Sequence, residues 1–262
     1  MDDAAKFFSD GAAYERRMGR WSRLVGEIFL DWLDAPAGLR WLDVGCGNGA
    51  FTEVLIGRCA PAAVSAIDPS EGQLSYARTR SGIGLAEFRV GDAQALPYSD
   101  RSFDAAAMAL AISFMPDPLK AAREMTRVVK PGGLVATYMW DLPGGGLPVA
   151  PMYRTLHSLG IAVPSPGGEV SRRDRMQTLW ANAGLESIET RVIRIPVAYA
   201  DFDEFWESYK IPEGPAGVAI RKMSPPEIEH LKVRLREHLP IATDGSIAYE
   251  AFANAVKGHA PH

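Results

Sequence analysis

The stretch "WLDVGCGNGAFTEVL", residues 41–55, decides the fold. It opens as an apolar run ending in an acid, Asp43, turns through Gly45, Gly47 and Gly49, and restarts as a helix-like pattern at Phe51. A glycine loop between strand and helix offers free backbone N–H groups and open space at the strand's carboxyl end. Doubly wound folds bind their ligands there. "GCGNGA" satisfies the loose pattern G-x-G-x-x-G/A with Ala50 in last place, a weak sign when taken alone.

Outward from this stretch the alternation repeats. Upstream, "WSRLVGEIFLDWL" spaces Trp21, Leu24, Val25, Ile28, Phe29 and Trp32 as one stripe of a helix. "LRWLDV" reads as a buried strand and "FTEVLIGRC" as a helix; "AVSAID" is a second strand and "PSEGQLSYARTR" a second helix. "LAEFRV" and "FDAAAMALAI" are a third and a fourth strand. "DPLKAAREMTRVVK" is a helix stopped by "PGG", and "LVATYMW" a fifth strand. This order predicts βαβ units in an α/β, doubly wound, mostly parallel sheet. The strands are apolar nearly throughout, as a sheet covered on both faces requires.

After Trp140 the texture changes. "DLPGGGLPVAP" reads as a linker or a mobile lid. "SRRDRMQTLWANAGL" is a helix ended by Gly184, and "ESIETRVIRIPV" alternates as a strand. "DFDEFWESYK" carries Asp201 and Glu204 as a capping box, with Phe202, Phe205, Trp206 and Tyr209 on one stripe. "SPPEIEHLKVRLREHL" repeats the device, and "SIAYEAFANAVKG" is a weakly signalled last strand.

The 262 residues are 47% hydrophobic and 23% charged, an ordinary globular composition. A net charge of -4 and the lack of a basic run argue against a nucleic-acid partner. No stretch suits a membrane span, and the acidic start lacks the apolar heart of a secretory signal, so a cytoplasmic protein is expected. Cys46 and Cys59 read as free thiols. The histidines His157, His230, His238, His259 and His262 are scattered without ligand spacing, and no metal site is expected. Nothing in the sequence specifies an oligomeric state.

Three acids refine the ligand. Asp43, two residues before the first glycine, repels a pyrophosphate and suits a cationic amine. Asp68 ends the second strand at the distance expected of a ribose-diol acceptor. Asp92, in "GDAQALP", can accept from an adenine amine while Ala93 offers its N–H. An adenosine with a cationic amine end and no phosphate fits S-adenosylmethionine. Each acid also has a plainer use: Asp43 and Asp68 as helix caps, Asp92 as a turn residue.

"LDVGCGNGAF", "AIDPSEGQLSYAR", "VGDAQALPYSDRSFD", "MPDP" and "REMTRVVKPGGLVA", in this order, resemble the motifs of class I S-adenosylmethionine-dependent methyltransferases. The similarity is to the small-molecule branch related to ubiquinone and menaquinone biosynthesis enzymes. It covers roughly residues 39–140, with weaker likeness outward. The resemblance implies a seven-stranded Rossmann-like sheet with the last strand antiparallel between the fifth and sixth. It implies one methyltransferase domain over 1–262: an N-terminal helical lid (1–38), a cofactor-binding core (39–142), and a substrate-side cap that completes the sheet (143–262). Gly45, Cys46, Gly47 and Asp43 are implied to hold the methionine part. Asp68 and Pro69 would lie at the ribose, Asp92 and Ala93 at the adenine, and Ala111 near the sulfonium. From the lid, Tyr14 and Arg20 would close over the cofactor, Arg20 pairing with its carboxylate. Where nucleic-acid amine methyltransferases carry (N/D)-P-P-(Y/F), this chain has "AISFM", so base-amine chemistry is not supported.

A small-molecule acceptor is expected at the carboxyl ends of the fourth and fifth strands, with S-adenosylhomocysteine as coproduct. Its pocket is expected from Ser113, Phe114, Trp140, Tyr153, Trp206 and Tyr209, with Asp141 or His157 as the general base. Two other readings stay open: a nicotinamide-dependent oxidoreductase using the same loop, and a non-catalytic module that binds S-adenosylmethionine.

Overall fold

The computed structural model describes residues 11–163, 168–209 and 215–262; side chains are described from Glu15 onward, apart from those of Arg16, Arg17 and Pro215. The chain runs α1 (Gly11–Leu33), β1 (Arg40–Val44), α2 (Ala50–Cys59), β2 (Ala63–Asp68), α3 (Glu71–Ala77), β3 (Ala86–Val90) and β4 (Phe103–Ala109). A short turn of 3₁₀ helix, Ile112–Phe114, leads to α4 (Pro118–Val128) and β5 (Val129–Trp140). There follow α5 (Ala150–Ser158), α6 (Arg173–Asn182), β6 (Glu186–Tyr199), α7 (Phe202–Glu207), α8 (Pro215–Arg221), α9 (Pro225–His238) and β7 (Ile247–His259).

The strands form one seven-stranded sheet in the order β3-β2-β1-β4-β5-β7-β6. Pairing is parallel from β3 to β5, and β7 runs antiparallel to both of its neighbours. β1 pairs with β2 on one side and β4 on the other, so the strand order reverses there and a crevice opens at the carboxyl ends. One face lies under α1, whose Trp21, Val25, Phe29 and Leu33 are buried; the Phe29 ring stands 4.6 Å from that of Tyr138 on β5. The other face is closed by Met125 of α4 and by Met176 and Trp180 of α6, the Trp180 indole N–H donating to the Val135 carbonyl at 3.0 Å.

The sequence pattern and the structure part in five places. β3 is an edge strand and largely exposed, Val90 included, so its apolar residues do not mark a strand covered on both faces. "PGG" stops no helix: α4 ends at Val128 and the chain enters β5 directly. There Gly133 passes so close to β4 that a Cβ would stand 2.6 Å from the Asp104 carbonyl. The Gly/Pro-rich segment after Trp140 is tied down: Gly146 N–H donates to the Asp141 carbonyl at 2.7 Å, and Phe252 N–H to the Gly146 carbonyl at 2.9 Å. A Cβ on Gly146 would meet the Phe252 carbonyl at 2.2 Å, so the run of glycines serves close packing on β7. α1 starts at Gly11, ten residues before the stripe that announces it, and α5 carries no signal read above.

Candidate functional site

The glycine loop spends its donors on itself. Gly45 and Cys46 N–H both donate to the Ile67 carbonyl, at 2.8 and 3.1 Å, and Gly49 N–H to Cys46 at 2.9 Å. Gly47 N–H donates to Asp68 Oδ2 at 2.9 Å, and Ala50 N–H to Asn48 Oδ1 at 3.2 Å. These groups are therefore not the free N–H cradle expected from the sequence, and a pyrophosphate would find them turned away. The loop supplies room instead. Gly45 has φ +71°, and a Cβ there would stand 2.8 Å from that of Ala111.

That room is a cavity of about 310 Å³ above β1, β2 and β4. Gly45, Cys46, Gly47, Asp68 and Pro69 line one side; Ala111 and Phe114 line the other. The structure thus brings these sequence-selected residues together. Asp68 accepts from Gly47 on Oδ2 and from Ser70 N–H on Oδ1, at 2.9 Å each, which leaves lone pairs on both oxygens toward the cavity. Burial raises its pKa, and the two N–H donors hold the rise in check.

Asp43 lies behind the loop rather than on the cavity wall. It is fully buried, with Oδ2 accepting from the Thr52 hydroxyl at 2.6 Å and Oδ1 without a hydrogen-bond partner. Burial pushes its carboxyl up to about 7, against the Thr52 bond and with a smaller push from Asp68. An orphaned buried oxygen lacks a donor, and a cation is the donor that also relieves the desolvation. A negative charge behind the loop, a diol acceptor in Asp68 on the wall and no cradle for a phosphate describe a fit to the cationic, phosphate-free S-adenosylmethionine.

Other selected residues are not gathered here. Asp92 is exposed and closes a turn onto Gln94 N–H at 2.8 Å, and neither it nor buried Ala93 reaches the cavity wall. Arg20 stands outside the cavity, its guanidinium 4.3 Å above the Trp21 ring. The Tyr14 side chain lies outside the described residues. Ser113 and Trp140 are buried, their Oγ and Nε1 without hydrogen-bond partners. Tyr153, Trp206 and Tyr209 sit beneath the later helices on the α1 side of the sheet. Neither proposed base reaches the cavity. Asp141 accepts from Gly144 N–H at 2.8 Å and from the Asn254 amide at 3.0 Å, holding its own turn. His157 is exposed on α5.

Sequence reasoning passed over several wall residues. Ser22 reaches the cavity from α1, Ser70 and Gln73 from the start of α3, and Tyr138 from β5. Arg80 supports the loop from behind: its Nε donates to the Asn48 carbonyl at 2.7 Å, and its other nitrogens pair with Glu53 of α2 and Glu15 of α1. An arginine three residues past a short helix, with no periodic partner, gives no signal in the sequence.

Residues 42–137 match the family model described as a methyltransferase domain. The match runs from within β1 to within β5, the parallel part of the sheet. The demethylmenaquinone methyltransferase of Paenarthrobacter aurescens is 34% identical over 154 residues, which make up 58% of this chain and 56% of that protein. The chain thus spans little more than half the length of this curated relative. The solved structure of YcgJ from Bacillus subtilis shares the fold with a TM-score of 0.62 at 18% identity, covering 91% of this chain and 98% of that one. An N-methyltransferase of Haemonchus contortus in complex with phosphomonomethylethanolamine and S-adenosylhomocysteine has a TM-score of 0.56 at 18% identity, over 95% of this chain and 56% of that one. Likenesses at this identity establish the fold. Among the described residues no helix is long and apolar enough to cross a membrane, and no cluster of side chains could hold a metal.

Proposed function

We propose that the protein transfers the methyl group of S-adenosylmethionine to a small-molecule acceptor. The observation that carries this reading is the pairing of a glycine loop whose N–H groups are spent internally with a buried carboxylate, Asp43, whose free oxygen lacks a donor. Such a site suits a cation and disfavours a dinucleotide's pyrophosphate. In this reading the Gly45–Gly47 backbone borders the amino-acid end, the Asp43 charge behind the loop draws its ammonium, Asp68 takes the ribose, and Ala111 borders the sulfonium. α1 serves as the lid over a core at 39–142, with the acceptor side built from 143–262.

When bound, the cofactor supplies an activated methyl group, so the protein's work is to position the acceptor and exclude water. Phe51, Leu110, Phe114, Met115 and Tyr138 give the cavity apolar walls for that purpose. Its described walls hold no histidine or lysine, and burial pushes the Cys46 thiol up, away from the thiolate. The walls therefore favour an acceptor that needs no base from the protein, or that has lost its proton before it arrives. The curated relative's name offers demethylmenaquinone as one acceptor to assay.

Calorimetry with S-adenosylhomocysteine and NAD tests the cofactor. Tight binding of the first and none of the second is expected; equal or reversed preference overturns the proposal. Transfer of isotope-labelled methyl from S-adenosylmethionine to a panel of quinols and other small acceptors then tests catalysis.

A further inference from the structure

One stripe of α1 runs along the cavity and its glycine loop. Glu15, Gly19, Ser22 and Gly26 fall at i, i+4, i+7 and i+11, which is a single face of a helix. Ser22 lines the cavity. Gly26 lets the helix settle on two further wall residues, since a Cβ there would stand 3.1 Å from the Tyr138 hydroxyl and 3.4 Å from the Phe51 ring. Toward the start of the helix, Glu15 reaches the loop itself. Its Oε2 accepts from the Asn48 side-chain amide at 3.2 Å and pairs with Arg80.

Asn48 lines the cavity and stands between Gly47, at φ +51°, and Gly49, at φ +77°. Glycines leave a backbone its widest freedom, so the position of Asn48 has to be fixed from outside the loop. Arg80 passes beside Gly49, where a Cβ would stand 3.5 Å from Arg80 Cδ, and donates through Nε to the Asn48 carbonyl at 2.7 Å. The largely buried guanidinium has its charge answered by Glu53 and Glu15. Next to Asn48, the Gly47 N–H holds Asp68 Oδ2 at 2.9 Å. A chain of contacts thus runs from Glu15 through Asn48 and Gly47 to the carboxylate on the cavity wall. Gly19 keeps the first link open. Alanine is the better helix former in mid-helix, yet a Cβ at position 19 would stand 2.7 Å from Glu15 Oε1 and 2.8 Å from its Cδ, and the carboxylate would have to leave.

Resting on the methyltransferase reading, we propose that Glu15 is a positioning residue: from α1, through Asn48 and Arg80, it sets the glycine loop in the form that takes the cofactor. Glu15 is not on the cavity wall, so it acts through the loop rather than on the ligand. Docking of the helix and binding of the cofactor then favour one another, because such coupling is reciprocal. Arg23, one turn past Gly19, gives the comparison. It pairs from an exposed position with Glu27 at 3.4 Å and with Glu53 of α2 at 3.6 Å, a looser tie of the same helix with neither partner in the loop.

A double-mutant cycle on S-adenosylhomocysteine affinity, read by calorimetry, separates this role from plain helix stability. Glu15→Ala and Gly19→Ala should each weaken binding by about fivefold or more. In the Glu15→Ala background the alanine at position 19 should cost no further affinity, within about twofold, and should raise the urea midpoint, because there it only improves the helix. Arg23→Gln, which loosens α1 away from the loop, should bind as the wild type does. Wild-type affinity in Gly19→Ala, losses that multiply in the double variant, a Glu15→Ala protein that is less stable yet binds in full, or an Arg23→Gln protein as weak as Glu15→Ala overturns the assignment. Failure of S-adenosylhomocysteine to bind the wild type would instead bring down the methyltransferase reading.

Discussion

Replacing Asp43 with Asn keeps the side chain's shape and removes its charge, which isolates what that charge does for cofactor binding. In the free protein, burial pushes the carboxyl from 3.8 to about 7. It is then roughly 90% protonated at pH 6 and about 10% at pH 8. A ligand ammonium on the cavity side of the loop favours the ionised form through space, so binding expels the proton. Affinity for S-adenosylhomocysteine should therefore rise about tenfold between pH 6 and pH 8, with ~0.9 proton released per ligand at pH 6. Calorimetry in two buffers of different ionisation heat reads both quantities directly. Asp43→Asn should flatten the profile and, at pH 8, weaken binding by about 10-fold, the scale of a charge acting across a few ångströms of poorly solvated protein. Stability without ligand should run the opposite way. Because the folded pKa is raised, the native state holds the proton more tightly, and stability falls as pH rises from about 4 through 7. The ceiling is ~4 kcal/mol for a shift of three units. Urea melts at pH 4.5 and 8 should show this loss in the wild type and not in Asp43→Asn. A wild type whose binding ignores pH, or a variant that keeps the slope, refutes the placement of the ammonium at Asp43.

Gly45→Ala puts a Cβ 2.8 Å from that of Ala111 at φ +71°. Left-handed strain of ~1–2 kcal/mol should appear in urea melts, and a methyl thrust toward the cavity should cost about tenfold or more in S-adenosylhomocysteine affinity. Arg80→Met leaves Glu15 only the Asn48 amide and Glu53 only Arg23, and frees the Asn48 carbonyl; a loss of about 1–2 kcal/mol is expected, with faster amide exchange along α1 as the specific sign. Asp141→Ala should lose ~1–2 kcal/mol by undoing its two bonds, with kcat of the folded protein unchanged. His157→Ala, at an exposed position, should alter stability by less than ~0.5 kcal/mol and leave kcat alone. A fall of about 100-fold in kcat, without unfolding, in either variant would restore that residue as a general base.

What the sequence could and could not show follows from how far apart the cooperating residues lie in the chain. The glycine-loop side of the crevice is local. Asp43, the glycines and Asp68 fall within 26 consecutive positions, on two adjacent parallel strands, and their spacing survives folding because each strand delivers its last residues to the same edge. Asp92 misled because an Asx turn onto Gln94 and a ligand contact demand the same residue in the same place, and the exposed edge strand β3 does not press it inward. Asp141 misled for a related reason: it stands at the end of β5, where a catalytic group would stand, but the glycines after it need its carboxylate to close their turn. The aromatic cluster of Trp21, Tyr199, Phe205 and Tyr209 is assembled from α1, the end of β6 and the region of α7, with Trp21 well over a hundred residues from the rest. Each of its aromatics looks, in its own segment, like one more member of a packed stripe, and most are. Only the register of β6 on β7 puts Tyr199 and Tyr249 on one face, and only the run of both strands past Trp140, the end of β5, lifts that face above the sheet, beside Trp21. Strand register over so long a range is set by packing that no local window contains, so the glycine loop and its acids are legible in the sequence and this cluster is not.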